Sequence, residues 1–264
     1  MTKKYELVLE DTISLWGWKL FRIRALISFG SVEAGELGGY IHKEENLSHD
    51  SNAWVCGNAW VCGNAKVYGN AEVCGNAKVY GNAWVCGNAK VYGNAEVCGD
   101  AEVYGNAWVC GDAEVYGNAW VCGDAEVCGN AEVCGNAKVY GNAWVCGNAK
   151  VCGDAEVCGD AEVYGNAWVC GDAEVYGNAW VCGDAEVCGN AEVCGDGDII
   201  VFKNHWSSGR HFTYTKSNKM WLVGCFYGTG QELIDKAYKD SEKSGKHYEA
   251  YVRFVEKLEE ITNG

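Results

Sequence analysis

The chain has 264 residues, with 36 glycines, 17 cysteines, 12 tryptophans, no proline and a formal net charge of −15. The acidic balance argues against nucleic acid as a direct ligand, because contacts to phosphates need lysine and arginine. The sequence has no run of about 18 apolar residues, so it predicts no membrane-spanning helix. The opening MTKKYELVLED lacks the apolar core and cleavage site of a secretory signal. We therefore expect a cytoplasmic protein.

Residues 1–51 predict an N-terminal β cap that leads into a repetitive region. Between Trp16 and Ala25 the side chains fall into two alternating sets, and this period of two is typical of a hairpin or of capping strands. Such a cap would cover the open edges of a parallel sheet, which otherwise invite pairing with other chains.

Residues 52–195 form 24 uninterrupted hexads in which Ala and Val each recur at every sixth position. A period this short predicts a solenoid. Within Ala-x-Val-x, Ala and Val point to one side of a short strand and the variable residues point to the other side. Ala and Val must face inward, because the opposite choice would bury 11 Glu and 5 Lys without partners. Gly-Asn and Gly-Asp supply the corners, since both residue types tolerate a left-handed backbone.

The pattern Val-x-Gly-Asn-Ala-x resembles the hexapeptide repeat of left-handed parallel β-helices, in which three hexads form one triangular coil. This resemblance implies a mainly β fold with about eight coils. The chain as a whole, including AGELGGYIHKEENLSH and VGCFYGTGQELIDKAY, is similar to phage and prophage proteins that carry GNAxVYG repeats and are often labelled polymer-forming. The resemblance is specific for the fold and implies no particular activity.

Residues 196–264 predict a small α+β module. DIIVF, HFTYT and MWLVGCF are expected strands, and KSNK is the turn between the last two. Thr229 and Glu232 predict a capping box that opens a helix reaching about Ser244, with Gly245 ending it. A second helix over about residues 246–262 places apolar residues at helical spacing: Tyr251, Val252, Val255, Leu258 and Ile261. The module is interpreted as a packed cap or, alternatively, as a unit for oligomerisation or partner docking.

The C-terminal module also holds the candidate site residues Arg210, His211, Tyr214 and Cys225. The alternative is that these four are surface groups or satisfied core groups. Left-handed β-helices include acyltransferases, which resemble one another in using a histidine base and loop insertions. Here all five histidines lie outside residues 52–195 and no hexad carries an insertion. We therefore expect a non-enzymatic protein with no catalytic residue, no cofactor and no metal.

Outward residues 18 positions apart are predicted to share a face, which stacks some cysteines into runs. Stacked thiolates could bind a soft metal. The favoured alternative is that Cys exchanges with Tyr as an outward residue, without a framework of bridges. The repeat tryptophans form no continuous row on any face. The two longest cysteine runs are Cys134, Cys152, Cys170 and Cys188, and Cys110, Cys128 and Cys146.

Charge is concentrated in one part of the repeat: residues 52–99 carry +1 and residues 100–195 carry −14. Residues 69–135 recur as 129–195 with two changes, an offset that moves the copy by one face. Our first hypothesis is a phage-type structural or interaction rod that spaces or presents its terminal modules. Its partner would be a protein or a second copy bound through the C-terminal module or the solenoid ends. The alternatives are an acidic decoy or inhibitor of a host defence or DNA-binding protein, acting by mimicry or ligand sequestration, and an acyltransferase-like enzyme.

Overall fold

Ala and Val line the interior of a parallel β-solenoid in the computed structural model, which describes residues 3–195 and 197–263. Every repeat alanine from Ala53 to Ala191 and every repeat valine from Val55 to Val193 is buried. The Glu and Lys residues of the hexads lie outside this core. The predicted inside and outside positions are therefore confirmed.

Each hexad contributes one short strand, made of its first outward residue and the valine that follows. The corner residues lie between consecutive strands and place these strands on different walls of the solenoid. The 24 strands, β4 to β27, are Trp54–Val55, Trp60–Val61, Lys66–Val67, Glu72–Val73, Lys78–Val79, Trp84–Val85, Lys90–Val91, Glu96–Val97, Glu102–Val103, Trp108–Val109, Glu114–Val115, Trp120–Val121, Glu126–Val127, Glu132–Val133, Lys138–Val139, Trp144–Val145, Lys150–Val151, Glu156–Val157, Glu162–Val163, Trp168–Val169, Glu174–Val175, Trp180–Val181, Glu186–Val187 and Glu192–Val193.

Three parallel sheets form the walls, and each strand pairs with the strand 18 residues later in the chain. We call them face 1 (β4, β7 and every third strand to β25), face 2 (β5 to β26) and face 3 (β6 to β27). Valine lies beside valine along each face, as in the pair Val91 and Val109. The solenoid has about nine turns, one more than the eight expected from the 24 hexads. The extra turn comes from residues before the repeat, because Tyr40–Ile41 pairs with Trp60–Val61 and Leu47 pairs with Val67. This arrangement confirms the predicted β-helix with three hexads per turn.

Corner residues also stack from turn to turn. Gly123 has φ +72°, and a Cβ atom placed on it would lie 2.9 Å from the carbonyl oxygen of Gly141 on the next turn. Next to the glycines, asparagine side chains donate to the corner 18 residues later: Asn70 Nδ2 lies 3.0 Å from Asn88 Oδ1. An aspartate can take the accepting place, as Asp100 does for Asn82 at 2.8 Å. The corners therefore demand glycine for both backbone conformation and space.

The N-terminal hairpin predicted around Trp16 is present. Strand β1 (Tyr5–Leu15) pairs antiparallel with β2 (Trp18–Ala25). The turn residues Trp16 and Gly17 both have positive φ, 48° and 82°, which suits the twist of a two-residue hairpin. Register shifts interrupt the strict alternation along both strands.

The solenoid begins inside the N-terminal segment. Strand β3 (Leu37–Ile41) pairs antiparallel with β2 on one side and parallel with Trp60–Val61 on the other. A 3-10 turn follows at Glu44–Asn46, and Leu47 then pairs with Val67 on face 3. The hairpin is thus an extension of face 2, so one edge of that sheet is covered by antiparallel strands.

The hairpin also covers the outer surface of the first turns on face 2. Trp60 and Cys62 occupy outward positions but are only 7% and 2% exposed. They cluster with Leu20 and Tyr40, and Ile13 packs against the same group. Outward residues near this end are therefore core residues, unlike their counterparts further along the rod.

The C-terminal module is a four-stranded antiparallel sheet followed by two helices. Its strands follow the predicted DIIVF, HFTYT and MWLVGCF segments, except that a turn at Gly224 and Cys225 ends the third and starts a fourth. Phe212, Trp221 and Val252 belong to its separate hydrophobic core. In order the elements are β28 (Ile199–Lys203), β29 (His211–Thr215), β30 (Met220–Val223), β31 (Phe226–Thr229), α1 (Gly230–Asp240) and α2 (Glu242–Asn263).

The start of α1 is confirmed and its predicted end is wrong. Thr229 Oγ1 accepts from the Glu232 N–H, and Glu232 Oε2 accepts from the Thr229 N–H at 2.8 Å. Helix α1 stops at Asp240, and Gly245 lies within α2. A Cβ atom on Gly245 would lie 2.3 Å from the Tyr238 ring. The glycine is needed for close helix packing rather than for a helix end. Among the described residues, neither helix has the length and apolarity needed to cross a membrane.

Candidate functional site

The structure brings three of the four candidate site residues to one cavity. Arg210, His211 and Cys225 line a space of about 260 Å³ beside the buried Asn204 and Tyr248. Arg210 and His211 lie at the start of β29, and Cys225 lies in the turn between β30 and β31. This turn is an exposed hairpin tip, and the thiol is exposed with it.

Tyr214 does not belong to that cavity. Because side chains alternate along β29, Tyr214 lies on the opposite side of that strand from His211. It packs against the Trp221 ring, with ring centroids 5.0 Å apart. Its hydroxyl donates to Glu259 of α2. Burial raises the pKa of Tyr214, and the Glu259 carboxylate raises it further. Tyr214 therefore ties the sheet to the second helix.

His211 and Arg210 face the last turn of the solenoid. His211 Nδ1 lies 3.0 Å from Asp184 Oδ2, across the boundary between rod and module. Burial raises the pKa of Glu186, and the positive charge of Arg210 opposes that rise. Two of the predicted site residues, Arg210 and His211, thus face carboxylates of the rod at its junction with the C-terminal module.

The junction also closes the hydrogen-bond ladders of the final turn. Along the rod the outward residue donates its N–H to an alanine carbonyl on the next turn, as Glu174 does to Ala191 at 2.8 Å. In the last turn the N–H of Glu186 donates to Thr213 Oγ1 at 3.0 Å, and that of Glu192 donates to Ser217 Oγ at 2.9 Å. On faces 2 and 3, side-chain hydroxyls therefore take the place of the alanine carbonyls that a further turn would supply.

Thr213 and Ser217 were not predicted from the sequence as functional residues. A hydroxyl residue in a strand or a turn is common, and nothing in the local pattern distinguishes one that accepts from a neighbouring domain. The same holds for Asn218, whose Nδ2 lies 3.4 Å from Asn190 Oδ1 at the last corner of the rod. Their role depends on the placement of the module.

The outer surface of the rod carries rows of charge. Three lysines pair with a glutamate on a neighbouring turn. Elsewhere glutamates stack directly: Glu114 lies between Glu96 and Glu132 on face 2, and Glu174 lies between Glu156 and Glu192 on face 3. Lys138 holds the pKa of Glu156 below its usual range by hydrogen bonding. The carboxylates of residues 100–195 are thus only partly neutralised by lysine.

Tryptophans are interspersed among these charges, as predicted. Face 1 carries four of them, at Trp54, Trp108, Trp144 and Trp180, and they never occupy adjacent turns. Trp180 is 50% exposed, whereas Trp54 is buried by the N-terminal segment. The described part of the rod therefore has no continuous aromatic row.

The outward cysteines are mostly free thiols, with two exceptions. Disulfides join Cys56 to Cys74 and Cys170 to Cys188, each across neighbouring turns of one face. From the sequence we expected no framework of bridges, and these two pairs correct that expectation because the register places cysteine directly beside cysteine. Thirteen cysteines remain free. Within the described residues, no group of three or more His, Cys, Asp or Glu side chains is arranged to hold a metal ion.

No protein-family model matches this chain, and no curated protein matches it either. The rod, the hairpin that extends face 2 and the junction between the rod and the C-terminal module are therefore the features from which a function can be inferred.

Proposed function

We propose that this protein is a non-enzymatic structural or interaction protein of phage type, a rigid acidic rod that holds two terminal modules at a fixed distance and orientation. The protein partner, or a second copy, would bind through these ends. The observation that carries the proposal is the junction, where two hydroxyl acceptors and the His211–Asp184 pair dock the module on the last turn.

The rod itself supports this proposal by its uniformity. Its core is an unbroken stack of Ala and Val with no inserted loop, and nine turns at about 4.8 Å each give a length of about 43 Å. In a solenoid each turn contacts only its neighbours, so length can change without loss of the fold. Length and orientation are then the properties that the repeat can set.

Deletions within the repeat test length and orientation separately. Removing residues 118–135 takes out three hexads, shortens the rod by about 4.8 Å and keeps the two ends in the same rotational relation. Removing residues 118–129 takes out two hexads and turns one end relative to the other by one face. The two deletions remove three and two carboxylates respectively, so their charges are nearly matched.

We expect both variants to fold, with circular dichroism and thermal melting close to those of the parent. The assay uses the partner that is recovered from the bacterial host with the full chain. The two-hexad deletion should weaken its binding more than the three-hexad deletion does. Removal of residues 197–264 should abolish it. Equal binding by all three variants would refute a role in spacing or orientation.

An acidic decoy of a host DNA-binding protein is the second candidate, and the stacked glutamates on faces 2 and 3 favour it. A decoy depends on long-range charge, which salt screens. Its binding would fall steeply between about 0.05 and 0.5 M salt and would not distinguish the two deletions. A spacer predicts the opposite on both measurements.

A further inference from the structure

Cysteines on neighbouring turns lie within bonding reach. In both bridged pairs the Cα atoms are 4.6 Å apart, inside the usual disulfide range of roughly 4.4–6.8 Å. The parallel register repeats this backbone relation along every face. The N–H of Cys128, for example, donates to the Val145 carbonyl next to Cys146 at 2.9 Å, as Cys152 does to Val169. Other cysteine neighbours therefore share the backbone pairing of the bridged ones.

This register divides the 16 repeat cysteines into two classes. Nine have another cysteine 18 residues away on the same face, in three runs. The other seven have only tyrosine as a repeat neighbour on their face. The runs are Cys56 and Cys74; Cys110, Cys128 and Cys146; and Cys134, Cys152, Cys170 and Cys188. The tyrosine-flanked cysteines are Cys62, Cys86, Cys98, Cys122, Cys158, Cys182 and Cys194.

We propose that the three cysteine runs are sites of oxidative modification, at which a small disulfide such as oxidised glutathione converts neighbouring thiols into disulfides that join successive turns. A run of two or of three holds one bridge, and the run of four holds two. The fully oxidised chain then has four bridges, and nine of its 17 cysteines stay as thiols.

The chemistry is thiol–disulfide exchange. One cysteine thiolate attacks a sulfur of the oxidant, which releases one glutathione thiolate and leaves a mixed disulfide on the protein. The neighbouring thiolate then attacks the protein sulfur of that mixed disulfide and releases the second glutathione. The protein loses two electrons, the oxidant gains them, and the two protons from the cysteines end on the two glutathione thiols.

The tyrosine-flanked class cannot complete the second step, because no second thiol lies on the neighbouring turn. Cys158, for example, lies between Tyr140 and Tyr176 on face 3. The Tyr140 hydroxyl is held by Glu156 at 3.0 Å. Such cysteines can at most carry a reversible glutathione adduct, which excess reduced glutathione removes.

The test uses the folded full chain, first fully reduced and then equilibrated in a buffer of reduced and oxidised glutathione at about pH 8.5, near the ordinary thiol pKa. Remaining thiols are alkylated, and the intact mass gives the numbers of thiols, bridges and glutathione adducts. Two matched variants accompany the parent. Cys152→Ser interrupts the run of four, whereas Cys158→Ser makes the same chemical change at a tyrosine-flanked position.

The expected result is four bridges and nine thiols in the parent. Cys152→Ser should form three bridges and keep ten thiols, and Cys158→Ser should form four bridges and keep eight. A gain variant, Tyr116→Cys, joins Cys98 to the run of four and should form five bridges. Retention of all 17 thiols, equal bridge numbers in the two serine variants, or bridges between separate chains would each overturn the proposal.

Discussion

Two corner glycines allow the cost of a left-handed backbone to be separated from the cost of lost space. Gly123 and Gly183 have nearly the same φ, +72° and +67°. A Cβ atom on Gly123 would lie 2.9 Å from the Gly141 carbonyl oxygen, whereas one on Gly183 would meet nothing within 4 Å. Alanine at Gly183 therefore introduces backbone strain alone, and alanine at Gly123 introduces strain together with a clash between turns.

The expected magnitudes follow from these two contributions. A left-handed conformation costs a residue with a Cβ atom about 1–2 kcal/mol, which is our expectation for Gly183→Ala. Overpacking against a rigid backbone adds about 1–3 kcal/mol, so Gly123→Ala should lose about 2–5 kcal/mol in total. Total stabilities of single domains are about 5–15 kcal/mol, so the second loss is large.

Urea denaturation under reducing conditions, followed by tryptophan fluorescence and circular dichroism, measures both losses. Gly183→Asn is a useful control, because asparagine tolerates the left-handed region better than alanine and should recover part of the loss. If Gly123→Ala were no more destabilising than Gly183→Ala, close stacking of the corners would not contribute to stability. Lack of space between turns would then not be a reason for the glycine in every hexad.

Two further predictions concern the core. Val121→Asp should unfold the middle of the rod, because an unpaired carboxylate in a fully buried position costs several kcal/mol; a melting temperature equal to that of the parent would contradict the inward placement of valine. Burial raises the pKa of the Cys62 thiol to about 11, so between about pH 9 and 11 the folded chain keeps a proton that the unfolded chain loses. The free energy of unfolding should therefore fall as pH rises through that window in reductant, and Cys62→Ala should make the slope measured by urea denaturation less steep.

The solenoid could be predicted from the sequence because its pattern has only one consistent interpretation. Glu and Lys exclude the variable positions from a dry interior, so Ala and Val must be inside, and the period of six fixes the corners. The capping box could be predicted for a similar reason, because it joins Thr229 to Glu232, only three residues later. These features depend on residues that are close in sequence.

The features that were missed depend on contacts between distant segments. Gly245 looks like a helix terminator until the Tyr238 ring is seen against it. The grouping of Tyr214 with Arg210 failed because the Tyr214 hydroxyl donates to Glu259 of α2, which is 45 residues away in the sequence. The ladder-closing role of Thr213 needs the orientation of the module on the last turn. No pattern in a single sequence encodes these contacts.

The pairing of β3 with Trp60–Val61 has a consequence for how the chain folds. In a sequence this repetitive, a turn could join its neighbour in many shifted arrangements of nearly equal energy. The non-repetitive β3 and Leu47 fix the first arrangement, because they pair with Trp60–Val61 and with Val67. Each later turn needs a contact only 18 residues back, so its loop-closure cost is small. The chain can therefore wind onto its N-terminal template while synthesis is still in progress, turn after turn in the order of translation. The C-terminal module is made after the rod and would stop the winding when it docks.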